Sequence, residues 1–412
     1  MNKIKRVLAS VCAVVLTVSM LTACGGKDDK KETKLTTSMI TGTTTAAKEQ
    51  IDFDKLVIPE KKLVIDGKEV DTTDLIVMTI NDKYQISFDE YRFFYQSALY
   101  ETGVDFSQIK EDKLDESYKL VKDYVEDVIK DFYANFIIAE NNGVEITSKI
   151  EDEIEVTYQQ YIEEYEGEEN FKKLLLSEYY TVDVWKHFCR AQLLVSDIYD
   201  ALYDEGGKYY KSEDDFKEFA KTEDYMRIKH ILIPYAAMAE LTDEEMEGFD
   251  ELTLTKKLTL KETAYEKVDE EGKKKIEAET KKHAEEVLKL VTDGGDFEKL
   301  IKEYNWDPGM ESNPEGYFIT ENTSFVEEFI DASLNLKIGE VSGLVESDYG
   351  YHILKREAVD EKYVEENIDE LYYDYFNEYL TAVDAEMRTE IIDNMQITYF
   401  DGYEKLDANS VS

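Results

Sequence analysis

Residues 336–354 read LKIGEVSGLVESDYGYHIL, and residues 226–233, far upstream, read MRIKHILI. Both stretches carry the β-forming side chains of short strands, and the glycines of the first are typical of turns between strands. Each stretch presents one histidine, His352 and His230. Alternate side chains of a strand share a face, so His230 shares its face with the apolar Leu232. Each histidine alone is typical of a core residue, but two of the chain's four histidines in strand-like segments indicate a candidate site.

These two stretches resemble the two ends of the parvulin-type peptidyl-prolyl isomerase domain, which begins with a strand carrying His-Ile-Leu and ends with Gly-Tyr-His-Ile. The intervening sequence is similar as well. Residues 294–300, GGDFEKL, resemble the end of the family's first helix and the start of its second. Residues 329–342 resemble its third helix and penultimate strand. The similarity covers residues 225–358 and implies a small antiparallel sheet flanked by helices.

The resemblance also implies the residues of an active site. His230 and His352 correspond to the paired histidines on the floor of the family's pocket. Asp307 stands at the family's acidic or thiol position, and Ser347 at its hydroxyl position. These four residues are the expected catalytic set.

The same resemblance implies an aromatic wall that grips the proline ring of the substrate. Phe329 stands at the family's phenylalanine, Phe318 at a second aromatic or apolar position, and Phe325 at the usual methionine. Four residues separate Phe325 from Phe329, so a helix would place both rings on one face. We expect these three residues to bind the substrate.

Two departures from the family pattern concern the same pocket. The family's Gly-Gly-x-Leu-Gly is reduced to residues 313–316, NPEG, which places Glu315 where an apolar residue is usual. The family's Ser-Glu-Asp has become residues 305–307, NWD. These changes keep open a rival function, that of a parvulin-like chaperone that binds unfolded clients without catalysis.

The first 25 residues indicate where the protein works. Residues 1–23 combine early basic residues with an apolar run, which is typical of a cleaved signal peptide. Residues 21–25, LTACG, resemble a bacterial lipobox, whose cysteine carries the lipid. We expect lipidation at Cys24, and hence a protein anchored on the extracytoplasmic face of the cell membrane. A plain cleaved signal with an incidental cysteine is the alternative.

Composition limits the partners. With 93 acidic and 48 basic residues, the chain has a net charge of -45 and repels the phosphates of nucleic acid. Unfolded or newly secreted polypeptides with X-Pro bonds are the expected partners, and a homodimer is left open. We expect no cofactor and no metal. His230, His352 and Asp307 could in principle bind a metal ion, but their apolar strand setting argues against it.

The whole chain is expected to be α+β, with a mostly helical chaperone module built from both chain ends around an inserted parvulin-like domain. Residues 77–87 resemble the start of the helical chaperone region of PrsA- and SurA-type foldases. The predicted segments are the signal peptide (1–23), the lipidated tether (24–50), the helical chaperone domain (51–224), the parvulin-like domain (225–358) with an insertion (235–277), the C-terminal helix that packs on the chaperone domain (359–400) and a tail (401–412).

Apolar residues at steps of three and four predict the helices of the chaperone domain. A tyrosine stripe at positions 158, 161 and 165 is typical of packing between helices, although it could also cradle an apolar peptide. The expected function is therefore an extracytoplasmic foldase that catalyses X-Pro isomerisation in secreted proteins. The non-catalytic chaperone is one rival. A lipoprotein with a structural or solute-binding role is another.

Overall fold

The computed structural model describes residues 51–412. The expected signal peptide, the lipidation residue Cys24 and the tether therefore lie outside the described residues. Within residues 51–412, no helix is long and apolar enough to cross a membrane.

Short antiparallel strands are spread along the described chain. In chain order they are β1 (Val64–Ile65), β2 (Lys68–Glu69), β3 (Ile76–Ile80), β4 (Tyr84–Ser87), β5 (Met226–Pro234), β6 (Tyr317–Ile319), β7 (Val345–Ser347), β8 (Gly350–Glu357) and β9 (Ile397–Tyr399). They pair as β1-β2, as β4-β3-β9 and as β6-β5-β8-β7.

Helices make up most of the remaining structure, which confirms the predicted α+β class with small antiparallel sheets. In chain order they are α1 (Phe88–Thr102), α2 (Leu114–Asn141), α3 (Ser148–Glu164), α4 (Glu168–Ser177), α5 (Val182–Leu202), α6 (Glu213–Phe219), α7 (Asp243–Met246), α8 (Leu254–Glu266), α9 (Glu270–Thr292), α10 (Phe297–Tyr304), α11 (Pro308–Ser312), α12 (Glu327–Leu334), α13 (Glu361–Glu366) and α14 (Ile368–Asp393). Short 3-10 helices lie at Phe53–Lys55, Phe106–Gln108, Glu111–Lys113, Tyr235–Met238, Phe249–Glu251 and Tyr403–Lys405.

The described chain divides into two compact units. The helical unit comprises residues 51–210 and Val383–Ser412, and the sheet unit comprises Lys211–Ala382. These boundaries differ from the predicted ones at 224/225 and 358/359. The sheet unit includes α6, because the Phe216 ring packs there against Tyr225 and Val364.

Local sequence explains how the helical unit forms. The Ser87 side chain caps α1 by accepting a hydrogen bond from the Glu90 amide, and Asp89 and Glu90 lie in the first turn, where the helix dipole favours acidic residues. In α2, a buried stripe packs inward at helical spacing. It consists of Val121, Val125, Ile129, Phe132 and Phe136.

The tyrosine stripe of α3 packs inside the helical unit. Tyr158 and Tyr161 contact the Phe171 ring, with ring centroids 5.7 and 5.2 Å apart, and both also contact Trp185. Tyr165 stacks on Phe171 as well. These contacts favour the packing interpretation over a peptide cradle.

The C-terminal segment completes the helical unit. Strand β9 pairs with β3, and Val411 bridges to Leu63. The Arg388 guanidinium donates to Asn135 at 2.7 Å and pairs with Asp131 at 3.3 Å. Residues from both parts of the chain therefore build this unit.

A buried acid lies in the aromatic core of the helical unit. Glu90 accepts a hydrogen bond from the Tyr133 hydroxyl at 2.8 Å, and the His187 Nε2 lies 3.7 Å from the same carboxyl oxygen. Burial raises the pKa of the Glu90 carboxyl to about 8 and lowers the pKa of His187 to about 4. At neutral pH, both groups are therefore predominantly uncharged.

The four-stranded sheet of the sheet unit separates two apolar clusters. On one face, Ile231 and Ile353 pack with residues of α9 and α10. On the other, Ile228 and Leu354 pack with Phe329 of α12. The second face is the one that carries His230 and His352, as the alternation along β5 and β8 requires.

The predicted C-terminal helix, residues 359–400, is divided into α13 and α14, because the helix breaks at Asn367. An apolar seam that includes Val364 and Leu371 lies on these two helices. Within the sheet unit, Val364 and Leu371 pack against Phe216 and Tyr225. The seam's partner in these contacts is α6, which the sequence interpretation had assigned to the chaperone domain.

Candidate active site

The register of β5 and β8 brings the two histidines together. Leu232 pairs with His352, and His230 pairs with Leu354, so the two histidines lie on one face two positions apart along the pairing. Both side chains are buried, and their rings lie nearly parallel, with centroids 5.6 Å apart.

A chain of hydrogen bonds runs through four buried or half-buried side chains. The Ser347 Oγ lies 2.8 Å from the His352 Nε2, the His352 Nδ1 lies 3.4 Å from the His230 Nδ1, and the His230 Nε2 lies 2.6 Å from the Asp307 Oδ2. The structure therefore brings together all four residues of the expected catalytic set.

The direction of each hydrogen bond in this series follows from Asp307, the acid at one end of it. An ionised Asp307 can only accept, so the His230 Nε2–H donates to it. In neutral His230 the Nδ1 is then an acceptor, and the His352 Nδ1–H donates to it. The His352 Nε2 in turn accepts from the Ser347 hydroxyl. Burial, with His230 beside the ring, lowers the pKa of His352 to about 4, which fits this neutral state.

Asp307 is held as an anion by several donors. Its Oδ2 accepts from the Tyr317 hydroxyl at 2.6 Å as well as from His230, and its Oδ1 accepts from the Gly309 amide at 2.9 Å. Asp307 is also the N-cap of α11. Burial opposes ionisation, but the bonds from His230 and Tyr317 outweigh it and lower the pKa of Asp307 to about 2.

Asn305 fixes the loop that carries Asp307. Its side-chain oxygen accepts from the amides of Leu232 and Asp307 at 2.9 and 3.1 Å, and its side-chain nitrogen donates to the Asp307 carbonyl at 2.8 Å. The first residue of NWD therefore ties the acid to the histidine strand.

An aromatic wall stands beside the histidines. The Phe329 ring meets His230 and His352 edge to face, at 5.2 and 5.8 Å between centroids. The Phe325 ring contacts Phe329 at 5.2 Å and Tyr317 at 5.0 Å. Phe329 is buried, whereas 39% of Phe325 is exposed, so Phe325 forms the accessible rim.

Most residues of this site lie in a segment that matches a known protein family. The family described as "Rotamase: PPIC-type PPIASE domain" matches residues 261–358, a segment that contains Asp307, Ser347, His352 and both phenylalanines of the wall. The chain contains a parvulin-type isomerase domain and is related to the PrsA foldases.

Curated relatives are foldase proteins PrsA. The chain is 26% identical to that of Halalkalibacterium halodurans over 280 residues, which cover 67% of this chain and 72% of the relative. It is 47% identical to that of Geobacillus kaustophilus over 74 residues, which cover 18% of this chain and only 26% of the relative. Identity to the Bacillus subtilis protein is 43% over 84 residues, 20% of this chain and 28% of the relative. The strong similarity is thus confined to about a quarter of these last two relatives.

Solved structures of PrsA proteins also match. The crystal structure of the peptidyl-prolyl isomerase PrsA from Bacillus anthracis has a TM-score of 0.31 and 20% identity, and covers 64% of this chain and 94% of that chain. The one from Bacillus cereus has a TM-score of 0.28 and 17% identity, and covers 78% of this chain and 90% of that chain.

Phe318 does not belong to the aromatic wall of the parvulin-type domain. Its partner in β5 is Arg227, which lies on the face opposite His230. The Phe318 ring stacks on Tyr363, with centroids 5.3 Å apart, and on Tyr225, at 5.9 Å. The expected substrate-binding role of Phe318 is therefore not supported, because alternate side chains of β6 point to opposite faces.

Tyr317 is the site residue that the sequence interpretation missed. It pairs with Ile228, which places its side chain on the histidine face. Burial, and then the bond to Asp307, raise the pKa of the Tyr317 phenol, so it remains a donor. Its position next to Phe318, the residue expected in the pocket, is the signal that could have revealed it.

Glu315, which departs from the family pattern, does not leave an unpaired charge in the pocket. The Arg227 Nη2 donates to its carboxylate at 2.5 Å, and the Arg227 Nε donates to its carbonyl at 2.5 Å. Arg227 extends from the sheet face opposite His230. The glycine after it, Gly316, has a φ of 102° and lies so near the Ile228 carbonyl that a Cβ would be 2.9 Å away.

In residues 51–412, no cluster of three or more His, Cys, Asp or Glu side chains could hold a metal ion.

Proposed function

We propose that this protein is an extracytoplasmic foldase whose parvulin-type domain catalyses cis-trans isomerisation of X-Pro bonds in newly secreted proteins. The observation that carries the proposal is the hydrogen-bonded chain from Ser347 through His352 and His230 to Asp307, beside the wall formed by Phe325 and Phe329. The match to the PPIC-type family supports the same reaction.

The reaction needs no covalent step. Rotation about an X-Pro bond must overcome a resonance barrier of ~18–20 kcal/mol, and the uncatalysed exchange takes roughly tens of seconds or more. A site lowers this barrier if it binds the twisted amide better than either planar isomer. Shape and fixed dipoles can supply that preference.

The side chains have distinct roles in this proposal. Phe329 and Phe325 bind the proline ring and exclude water from one side. His230 and His352 form a rigid floor under the twisting bond, because ionised Asp307 orients the ring of His230, which in turn orients that of His352. Such a prearranged floor costs little reorganisation when the amide twists.

The helical unit is assigned the binding of unfolded clients in this proposal. The match to the Halalkalibacterium PrsA foldase supports this role, because it covers 280 residues and therefore extends beyond the parvulin-type segment. Clients would be secreted polypeptides that expose X-Pro bonds.

Membrane attachment through a lipid on Cys24 is part of the same proposal and rests on the lipobox-like LTACG sequence. Labelling of growing cells with a clickable palmitate analogue tests it. Label on the full chain that a Cys24→Ser variant lacks is the expected result, whereas equal label on both would contradict a lipid at this position.

The test of the foldase function uses residues 27–412 and a secreted protein whose slow refolding phase is limited by proline isomerisation. We expect the wild type to accelerate this phase and a His352→Ala variant to lose most of the acceleration, while both suppress aggregation equally. If the wild type suppresses aggregation but leaves the slow phase unchanged, the protein is the non-catalytic chaperone instead.

A further inference from the structure

One carboxylate oxygen of α14 holds the turn that precedes the aromatic rim of the pocket. The Glu378 Oε2 accepts from the Thr323 hydroxyl at 2.9 Å and from the Thr320 hydroxyl at 3.1 Å. Glu378 lies outside the segment that matches the isomerase family, residues 261–358. All three residues belong to the sheet unit.

Both hydroxyls have a second bond within the turn itself. The Thr323 Oγ1 accepts from the Thr320 amide at 2.9 Å, and the Thr320 Oγ1 accepts from the Asn322 amide at 3.1 Å. A hydroxyl has a single proton, so by receiving it Glu378 leaves both oxygens free to accept the backbone amides. The carboxylate therefore orients the whole turn.

The turn leads directly to Phe325. The Phe325 amide donates to the Thr323 carbonyl at 2.7 Å, and its ring then contacts Tyr317 and Phe329. Thr320 is itself buried, with 5% of its surface exposed, so an unpaired hydroxyl there would be costly. Loss of the Glu378 bonds would loosen the backbone that aims the Phe325 ring.

We propose that Glu378 is a positioning residue that sets the place of the Phe325 ring and thereby the affinity of the site for proline-containing substrate. This inference rests on the proposed isomerase function. Glu378 acts through the turn and touches neither the histidines nor the substrate.

The role requires an acceptor oxygen rather than a charge, because one oxygen accepts both bonds. Glutamine offers the same oxygen without the charge, so Glu378→Gln should preserve the turn, whereas Glu378→Ala should not. The same contrast exists on the turn, since Thr323→Ser keeps the hydroxyl and Thr323→Val removes it. Glu386→Ala, an exposed acid on the same helix, is the charge-matched control.

The experiment measures the Kd of a short peptide with one Ala-Pro bond by NMR titration, and the KM and kcat of its isomerisation by exchange spectroscopy, with residues 27–412. Glu378→Ala and Thr323→Val should each raise Kd and KM about fivefold, the equivalent of about one hydrogen bond, and leave kcat within about twofold. Glu378→Gln, Thr323→Ser and Glu386→Ala should match the wild type. Thermal melts establish that each variant is folded. If Glu378→Ala does not fold, Thr323→Val alone provides the test.

Two results would overturn the positioning role: wild-type affinity in folded Glu378→Ala and Thr323→Val, or an equal loss of affinity in Glu378→Gln and Glu378→Ala. A wild type that binds the peptide without accelerating its exchange would overturn the proposed isomerase function. The Kd comparison would still decide the role of Glu378, so the two failures are distinguishable.

Discussion

The Tyr317 hydroxyl donates to the Asp307 carboxylate at 2.6 Å, on the same oxygen that receives His230. Two donors on one oxygen stabilise the ionised acid strongly, since hydrogen bonds to a charged group are about twice as strong as neutral ones. Tyr317 thus helps to fix the direction of the entire chain of bonds to Ser347.

Removal of this hydroxyl gives the first prediction. Tyr317→Phe should raise the pKa of Asp307 and lower the free energy of unfolding at pH 7 by about 1–3 kcal/mol. Because the pKa of Asp307 is lowered in the fold, the loss should be full above about pH 4, the ordinary pKa, and should fade as the pH falls towards about 2. NMR titration of the Asp307 carboxyl and urea unfolding at several pH values measure both effects. An unchanged Asp307 pKa would contradict the assigned bond, and Tyr373→Phe, at an exposed ring, is the matched control.

Two histidines with lowered pKa values, the buried His352 and the partly buried His187, predict a loss of stability in mild acid. His352 and His187 each have a pKa of about 4 in the fold against about 6.5 in the unfolded chain, so the unfolded state binds more protons between these values. Each histidine should therefore cost the fold up to about 3 kcal/mol as the pH falls from 6.5 to 4.

Substitution of either histidine checks this assignment. The slope of unfolding free energy against pH is proportional to the number of protons taken up on unfolding. His352→Gln and His187→Gln should each lower that number by about one in this range. Urea unfolding at pH 4, 5, 6 and 7 gives the slope. A wild-type slope in either variant would show that the substituted histidine is not the titrating group.

Glu90 predicts the opposite dependence on pH. Its pKa is about 8 in the fold against about 4.5 in the unfolded chain, so the fold binds more protons between these values, and the stability that protonated Glu90 contributes is full below about pH 4.5 and is lost as the pH rises to about 8. Glu90→Gln cannot ionise, so its stability relative to the wild type should increase by up to about 3 kcal/mol between pH 5 and pH 7. Parallel unfolding curves of both proteins test this. A difference that does not depend on pH would contradict the raised pKa.

The two aromatic neighbours of the pocket should separate binding from stability. Phe325→Ala, at the rim, should weaken binding of an Ala-Pro peptide about tenfold with little effect on unfolding. Phe318→Ala should leave peptide affinity unchanged and lower the unfolding free energy by about 1–3 kcal/mol, because Phe318 stacks on Tyr363 and Tyr225. Peptide titration and thermal melts of the pair make the comparison. Weaker binding by a folded Phe318→Ala variant would return Phe318 to the pocket.

The resemblance to the parvulin family supplied the histidine pair together with Asp307 and Ser347, whereas the period of a strand placed His230 on one face with apolar neighbours. Sequence could not predict which face of β6 meets the histidines. For this reason Phe318 was expected in the pocket, where the structure places Tyr317. Long-range polar contacts were also out of reach. Glu378 is separated from Thr320 by 58 residues, and no periodic pattern connects them.

Local sequence carries the capping and periodicity signals of helices, but it does not show how the chain divides into units. Ser87, followed closely by Asp89 and Glu90, has the sequence signature of an N-cap, and its side chain caps α1 in the structure. Helix α6 was placed with the chaperone domain by sequence order, whereas the packing of Phe216 on Val364 places it in the sheet unit. Such partners depend on tertiary contacts that local sequence does not encode.

The most direct test of the isomerase is the cis-trans exchange rate of an Ala-Pro peptide at pH 7, measured by exchange NMR with residues 27–412, an Asp307→Ala variant and the Glu386→Ala control. The uncatalysed exchange takes roughly tens of seconds. We predict that the wild type and the control make it faster by the same factor, and that this factor is at least about tenfold smaller for folded Asp307→Ala. No acceleration by the wild type, or full acceleration by Asp307→Ala, would contradict the account.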